Sequence, residues 1–189
     1  MALNVLLLGP QRAGKGTQAK RISAEYGIPH IASGEILRAE MDAGTELGKR
    51  VKETIERGDL VSDDLMIELI RNRLEQPDTE SGFVLDGFPR TTVQAEALDS
   101  MFGDIGRNFS VAFSLQIPDE VAFDRLRRRA RADDTDEAIQ RRLDNYHRET
   151  EPLIEYYRTR GNVVPIHANR SENEVFAEIQ RALEQVPAV

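Results

Sequence analysis

The sequence predicts an α/β fold, a parallel sheet covered by helices on both faces. Three observations carry this. Short apolar runs alternate with stretches of helical period along all 189 residues. The runs are apolar throughout rather than every second residue, as strands buried on both faces must be. The first run ends in a glycine-bounded loop that opens directly into a helix-forming stretch.

The elements follow in order. Strands are expected at Val5–Leu8, Pro29–Ile31, Phe83–Leu85, Val111–Gln116 and Val163–Ile166. Helices are expected at Lys15–Tyr26, Gly34–Ala43, Leu47–Arg57, Asp63–Glu75, Val93–Phe102, Glu120–Arg129, Glu137–Arg160 and Glu172–Gln185. The last begins with Ser171-Glu172-Asn173-Glu174, a capping-box pattern. Two regions break the alternation. Ile31 to Asp63 reads as a helical insertion, and Arg125 to Asp136 as a short, densely charged connection or flap. Ligands of open α/β sheets sit beyond the carboxyl ends of the strands, so both regions are candidate covers for one site.

Three segments carry chemistry. Gly9-Pro10-Gln11-Arg12-Ala13-Gly14-Lys15-Gly16-Thr17 has the order of a P-loop. In such a loop, backbone N–H groups cradle a phosphate and a helix N-terminus points at it. The substrate class this implies is nucleoside triphosphates, on a P-loop NTPase-type sheet. The strict pattern places Ser or Thr directly after the lysine; here Gly16 intervenes before Thr17. The chain has only 4 lysines beside 21 arginines, so a lysine at this point stands out. The second segment is Phe83-Val84-Leu85-Asp86-Gly87-Phe88-Pro89-Arg90, an apolar strand ending in a carboxylate. Asp86 is placed to hold the water shell of Mg²⁺ beside a triphosphate, and Arg90 to bind phosphate bidentately. The third is the run Arg125, Arg127, Arg128, Arg129 and Arg131, followed by Asp133, Asp134, Arg141 and Arg142. On a helix Arg125, Arg128 and Arg129 share a face. Their mutual repulsion is relieved by a polyanion, and phosphoryl transfer needs such distributed positive charge.

Composition removes other classes. A net charge of −8 argues against a general nucleic-acid or membrane-surface binder. With no cysteine there is no disulfide, thiolate nucleophile or thiolate-held zinc, and 3 scattered histidines make no metal site. No apolar run approaches the ~20 residues of a membrane span, and no signal-peptide pattern is visible. The expectation is a cytoplasmic, monomeric protein of one domain.

Together, and in this order, the segments resemble the adenylate kinase family over nearly the whole chain. Gly9 to Gln18 is similar to its P-loop, Ala32-Ser33-Gly34-Glu35-Ile36-Leu37-Arg38 to the start of its AMP-binding region, and Asp86-Gly87-Phe88-Pro89-Arg90-Thr91 with Gln94 to its signature segment. Arg125, Arg129, Arg131-Ala132-Asp133-Asp134 and Arg142 fit its LID and the helix after it, and Pro152 to Tyr157 a further segment. The resemblance implies one domain over 1–189, with an NMP-binding insertion at about 32–62 and a short LID at about 125–136. It implies ATP + AMP going to two ADP by in-line transfer, with Mg²⁺ accompanying ATP and no structural zinc. For ATP it implies Gly9, Ala13, Gly14, Lys15, Gly16, Thr17, Arg125, Arg129 and Arg170. For AMP it implies Ser33, Arg38, Val61, Gly87, Arg90, Gln94, Arg131 and Arg142. Lys15, Arg90, Arg125, Arg131 and Arg142 would carry catalysis, with Asp86 near the metal. Two departures stand out: Arg12 replaces the family's usual glycine, and His167-Ala168-Asn169-Arg170 replaces its usual Asp-Gly turn. A UMP/CMP kinase shares the implied architecture, though Ser33 and Gln94 favour adenine. A nucleotide-binding protein of little turnover is the reading that Arg12 supports.

Overall fold

The computed structural model describes residues 2–129, 131, 134–161 and 163–186, with no side-chain description of Arg129. Five strands, β1 (Leu3–Leu8), β2 (His30–Ala32), β3 (Gly82–Asp86), β4 (Val111–Gln116) and β5 (Val163–His167), form one sheet in the order β2-β3-β1-β4-β5. Every pairing is parallel. The helices are α1 (Lys15–Tyr26), α2 (Ser33–Asp42), α3 (Glu46–Arg57), α4 (Asp63–Leu74), α5 (Thr92–Asp104), α6 (Asp119–Arg129), α7 (Asp136–Asn145), α8 (Pro152–Arg158) and α9 (Glu172–Leu183).

The apolar runs become strands because both sheet faces are covered. Alternate residues of β1 feed two cores: Val5 and Leu7 pack with Ile22 of α1 and Ile179 of α9, while Leu6 and Leu8 pack with Ile70, Leu98 and Leu153. Val5 and Leu6 are fully buried, and burying side chains of that size stabilises by about 2 kcal/mol each. The register aligns the strand ends, with Leu7 opposite Asp86 and Ala32 opposite Asp86 on the other side. The loops after β1, β2 and β3 therefore emerge side by side at one edge.

The structure corrects the sequence expectation in two places. The single helix expected over Glu137–Arg160 is divided. After α7 the backbone widens into a π-helical turn, Tyr146–Thr150, in which the Glu151 N–H donates to the Tyr146 carbonyl at 2.8 Å. Pro152, at the start of α8, has no N–H and its ring crowds the preceding turn, so a regular α-helix cannot run through it. β2 lies one residue later than expected. As the expected helix over Glu120–Arg129 implies, Arg125 to Arg129 lie on α6; the connection to α7 is 130–135, of which Ala130, Ala132 and Asp133 lie outside the described residues.

Candidate active site

The loop from Gly9 to Gly14 starts where β1 runs out. Gly9 has φ +138°, and a Cβ there would stand 2.5 Å from the Leu115 carbonyl oxygen, so only glycine fits. Gly14 caps α1 in the left-handed region and offers no side-chain acceptor, and no acidic residue stands in the first turn. The leading N–H groups of α1 are thus left for an anion. Lys15 folds back over the loop, its Nζ donating to the Gly9 and Pro10 carbonyls at 2.8 Å each. Burial pushes its pKa down to about 8 despite the opposing charge of Asp86. Arg12 has φ +65°, the one non-glycine residue with positive φ among those described. Its carbonyl accepts from Arg125 Nη1 of α6 at 3.2 Å, which ties the loop to the arginine helix.

Asp86 ends β3 beside this loop; a Cβ on Gly16 would lie 3.7 Å from its Oδ2. Burial pushes the carboxyl up, but the His30 imidazole and the charges of Lys15 and Arg90 outweigh it and hold the group below the usual carboxylate range. His30 Nε2 lies 3.7 Å from Asp86 Oδ2, an ion-pair distance rather than a hydrogen bond. An ionised carboxylate next to a phosphate cradle suits Mg²⁺, which takes one or two protein carboxylates and completes its shell with water and phosphate. No cluster of three or more His, Cys, Asp or Glu is found among the described residues.

A second phosphate-sized locus lies at the ends of β2 and β3. A Cβ on Gly34 would stand 3.1 Å from Arg38 Nη2 and 4.0 Å from Arg90 Nη2, so the two guanidiniums converge. Gly87, at φ +82°, brings the chain close enough that a Cβ would be 2.6 Å from Ser33 Oγ. Arg90 Nε donates to the Gly87 carbonyl at 2.7 Å. Burial and the Arg142 charge lower the Arg90 pKa, Asp86 opposes them, and the guanidinium stays charged at neutral pH. Ser33 Oγ is buried with no hydrogen-bond partner.

One cavity of about 710 Å³ joins the two loci. It is lined by Gly9, Ala13, Gly14, Lys15, Gly16, Thr17, Ser33, Arg38, Val61, Asp86, Gly87, Arg90, Gln94, Arg125, Arg131, Arg142 and Arg170. Of the residues singled out in the sequence, Ala132, Asp133 and the Arg129 side chain lie outside the described residues. Arg170 lines the cavity with its guanidinium ion-paired to Glu178 and its Nε on the His167 carbonyl at 2.9 Å. Arg142, nearly buried, forms a 2.7 Å bridge to Asp134 and donates to the Ile55 carbonyl at 3.2 Å, joining α7 to α3. Arg128 lines the cavity with Arg125, whereas Arg127 turns to Asp136 at 3.6 Å; Arg131, placed with Arg127 by helical spacing, lies beyond the end of α6 and lines the cavity too. Sequence reasoning did not single out Asp63, His30 or the apolar wall of Leu37 and Met66. No local pattern joins Asp63 to its partner Gln94; their meeting depends on the packing of α4 on α5.

The chain has relatives among known proteins. The family profile described as adenylate kinase matches residues 7–162. The adenylate kinase of Phocaeicola vulgatus is 42% identical over 97% of this chain and 100% of its own length. That of Methanosarcina barkeri is 39% identical over 97% and 99%, and that of Archaeoglobus fulgidus 38% over 97% and 99%. A match running from the phosphate loop through α8, with relatives aligned along nearly their full length, shows that the chain belongs to the adenylate kinase family.

Proposed function

We propose that the protein catalyses ATP + AMP to two ADP, with the triphosphate on the Gly9–Thr17 loop and the AMP phosphate between Arg38 and Arg90. The observation that carries this is the single cavity joining two anion loci, one built from backbone amides and Lys15, the other from paired guanidiniums. A hydrolase would need only the first. The acceptor oxygen of AMP is already anionic at neutral pH, the second phosphate pKa being about 6, so no general base is required. What the protein must supply is positioning of two mutually repelling anions and charge on the moving oxygens.

The loop N–H groups and Lys15 hold the donor phosphates. Arg38 and Arg90 orient the attacking oxygen. Arg125, Arg131 and Arg142 approach from the α6–α7 side, with Arg129 in the same run. The bond from the γ-phosphorus to the bridging oxygen breaks as the bond to the AMP oxygen forms in line with it. Asp86 would hold the water shell of the Mg²⁺ that accompanies ATP, and that ion would supply further neutralisation of phosphate charge. Ser33, Val61, Gly87 and Gln94 meet the AMP nucleoside, and Arg170 the donor side. In this reading α2 and α3 form the NMP-binding arm, at about 32–62, and 125–136 the short LID. In this reading the protein acts as a cytoplasmic monomer, and its net charge of −8 argues against nucleic-acid or membrane-surface partners.

Arg12 supports one qualification of this function. A non-glycine residue in the left-handed region costs about 1–2 kcal/mol, and its side chain stands at the mouth of the phosphate loop. We place it as a brake on ATP turnover. A coupled assay of ADP formation with AMP, CMP, UMP and GMP tests the whole reading. AMP preference with turnover is expected. Preference for a pyrimidine acceptor identifies a UMP/CMP kinase, and binding without turnover a nucleotide-binding protein.

A further inference from the structure

The Gln94 amide faces the AMP end of the cavity from the first turn of α5, and the residue is 1% exposed. Both of its ends are committed. Oε1 accepts from the Arg90 backbone N–H at 2.7 Å, and Nε2 donates to Asp63 Oδ1 at 2.9 Å. A backbone N–H can only donate and a carboxylate can only accept, so a single orientation of the amide satisfies both. The reversed amide would set N–H against N–H and oxygen against oxygen in a buried site.

Asp63 is itself held in place. The same Oδ1 accepts from Thr91 Oγ1 at 2.8 Å, and Thr91 Oγ1 in turn accepts from the Gln94 N–H at 3.2 Å as the cap of α5. Asp63 opens α4, where the helix dipole favours a carboxylate. It stands behind the amide, outside the cavity lining, two residues after Val61, which does line it.

We infer that Asp63 is a specificity-positioning residue: by locking the Gln94 amide, it makes the acceptor site read a 6-amino purine and reject a 6-oxo purine. With its two ends fixed, the amide has one lone pair and one N–H left. An adenine edge offers an amine donor beside a ring-nitrogen acceptor, which pairs with both. A hypoxanthine or guanine edge offers an oxo acceptor beside a ring N–H, the reverse order, and would need the amide turned over. Asp63 and the Arg90 N–H oppose that turn. A site that leaves such bonds unpaired discriminates far more strongly than one that merely fits a shape. The inference rests on the reading that Gln94 meets the AMP base.

The test compares AMP with IMP, equal in size and differing only in this donor and acceptor order, by kcat/KM and by calorimetric binding. Removing this half-buried hydrogen-bond acceptor, as in Asp63→Ala, is expected to lower the AMP-over-IMP ratio by about tenfold. The KM for AMP should rise while that for ATP holds, a split that general loosening of the fold would not give. Asp63→Asn keeps an acceptor oxygen and should retain the ratio within about twofold. A folded Asp63→Ala protein with undiminished selectivity overturns the inference. So does an Asp63→Asn protein that loses it, which keeps the test decisive should the alanine variant fail to fold. Gln94→Ala separates the two levels. If it erases selectivity while Asp63→Ala does not, the lock alone falls. If it leaves the KM for AMP unchanged, Gln94 does not meet the base, and the site reading falls with the inference.

Discussion

Lys15 in the empty site is partly deprotonated under mildly alkaline conditions, and triphosphate should restore its proton. Burial brings its pKa to about 8 from the ordinary 10.5. Only Asp86 raises it among the groups that act on it strongly, and Arg90 lowers it. A triphosphate adds several negative charges within hydrogen-bond reach of Nζ and returns the pKa toward or above its ordinary value. At pH 8.5 the free protein then holds roughly a quarter of a proton on Lys15 and the complex nearly a full one, so binding takes up about three-quarters of a proton. At pH 9 about a tenth of the free protein is in the binding form, and ATP affinity should be about tenfold below its neutral value, or about 1.4 kcal/mol. ATP itself is fully ionised there and contributes no uptake. Titration calorimetry at pH 8.5 in two buffers of different ionisation heat measures the proton directly. Lys15→Met should abolish it and cut turnover by at least ~100-fold, as loss of a preorganised charge at a transition state does. In the empty protein the sign runs the other way. The folded pKa is depressed, so the unfolded chain holds the extra proton between about 8 and 10.5, and stability from this group rises with pH across that window. At neutral pH the buried charge is a cost, and Lys15→Met should melt higher than the parent without nucleotide. Absence of uptake, or equal uptake in Lys15→Met, would refute the argument.

Three further outcomes follow from other parts of the molecule. Arg12→Gly should raise kcat/KM for ATP by roughly tenfold, about 1.4 kcal/mol, with little change in melting temperature, because relief of the left-handed backbone is offset by the entropy glycine loses on folding; unchanged or poorer kinetics would mean that the loop uses its arginine. Two adenosines joined by five phosphates should occupy both loci and shorten the distance between spin labels at Glu137 and Glu184, placed uniquely because the chain has no cysteine; a fixed distance would mean that the arginine helix does not close. His147 sits between Glu151 at 2.7 Å and Asp119 at 2.9 Å, and the hydrogen bond that the Glu151 carboxylate accepts from its imidazole leads in raising its pKa. Its contribution is therefore complete below about pH 6.5 and lost as pH climbs through the raised value; His147→Gln should flatten that decline by less than about 1 kcal/mol, as an exposed pair allows, in urea unfolding across pH 6 to 8.

The glycine loop, the strand ending at Asp86 and the capping box at Ser171 were legible because each is a local instruction. Strand runs, a loop held by Gly9 and Gly14 and a helix start need only neighbouring residues to be read. The helical face of Arg125 and Arg128 was equally local, since spacing alone separates it from Arg127. Sequence also decided the nucleotide class, because cradling phosphate with backbone requires that spacing of glycine and lysine. Other features depended on how the elements pack. The long helix expected through Glu151 is widened at Tyr146–Thr150, where Pro152 breaks the hydrogen-bond ladder while the chain runs on from α7 into α8. Arg38 and Arg90 converge only because β2 and β3 are neighbours in register. Asp63 and Gln94 lie 31 positions apart, and no period or motif relates them. Their hydrogen bond exists because α4 packs on α5 and brings the half-buried Asp63 carboxylate against the buried Gln94 amide.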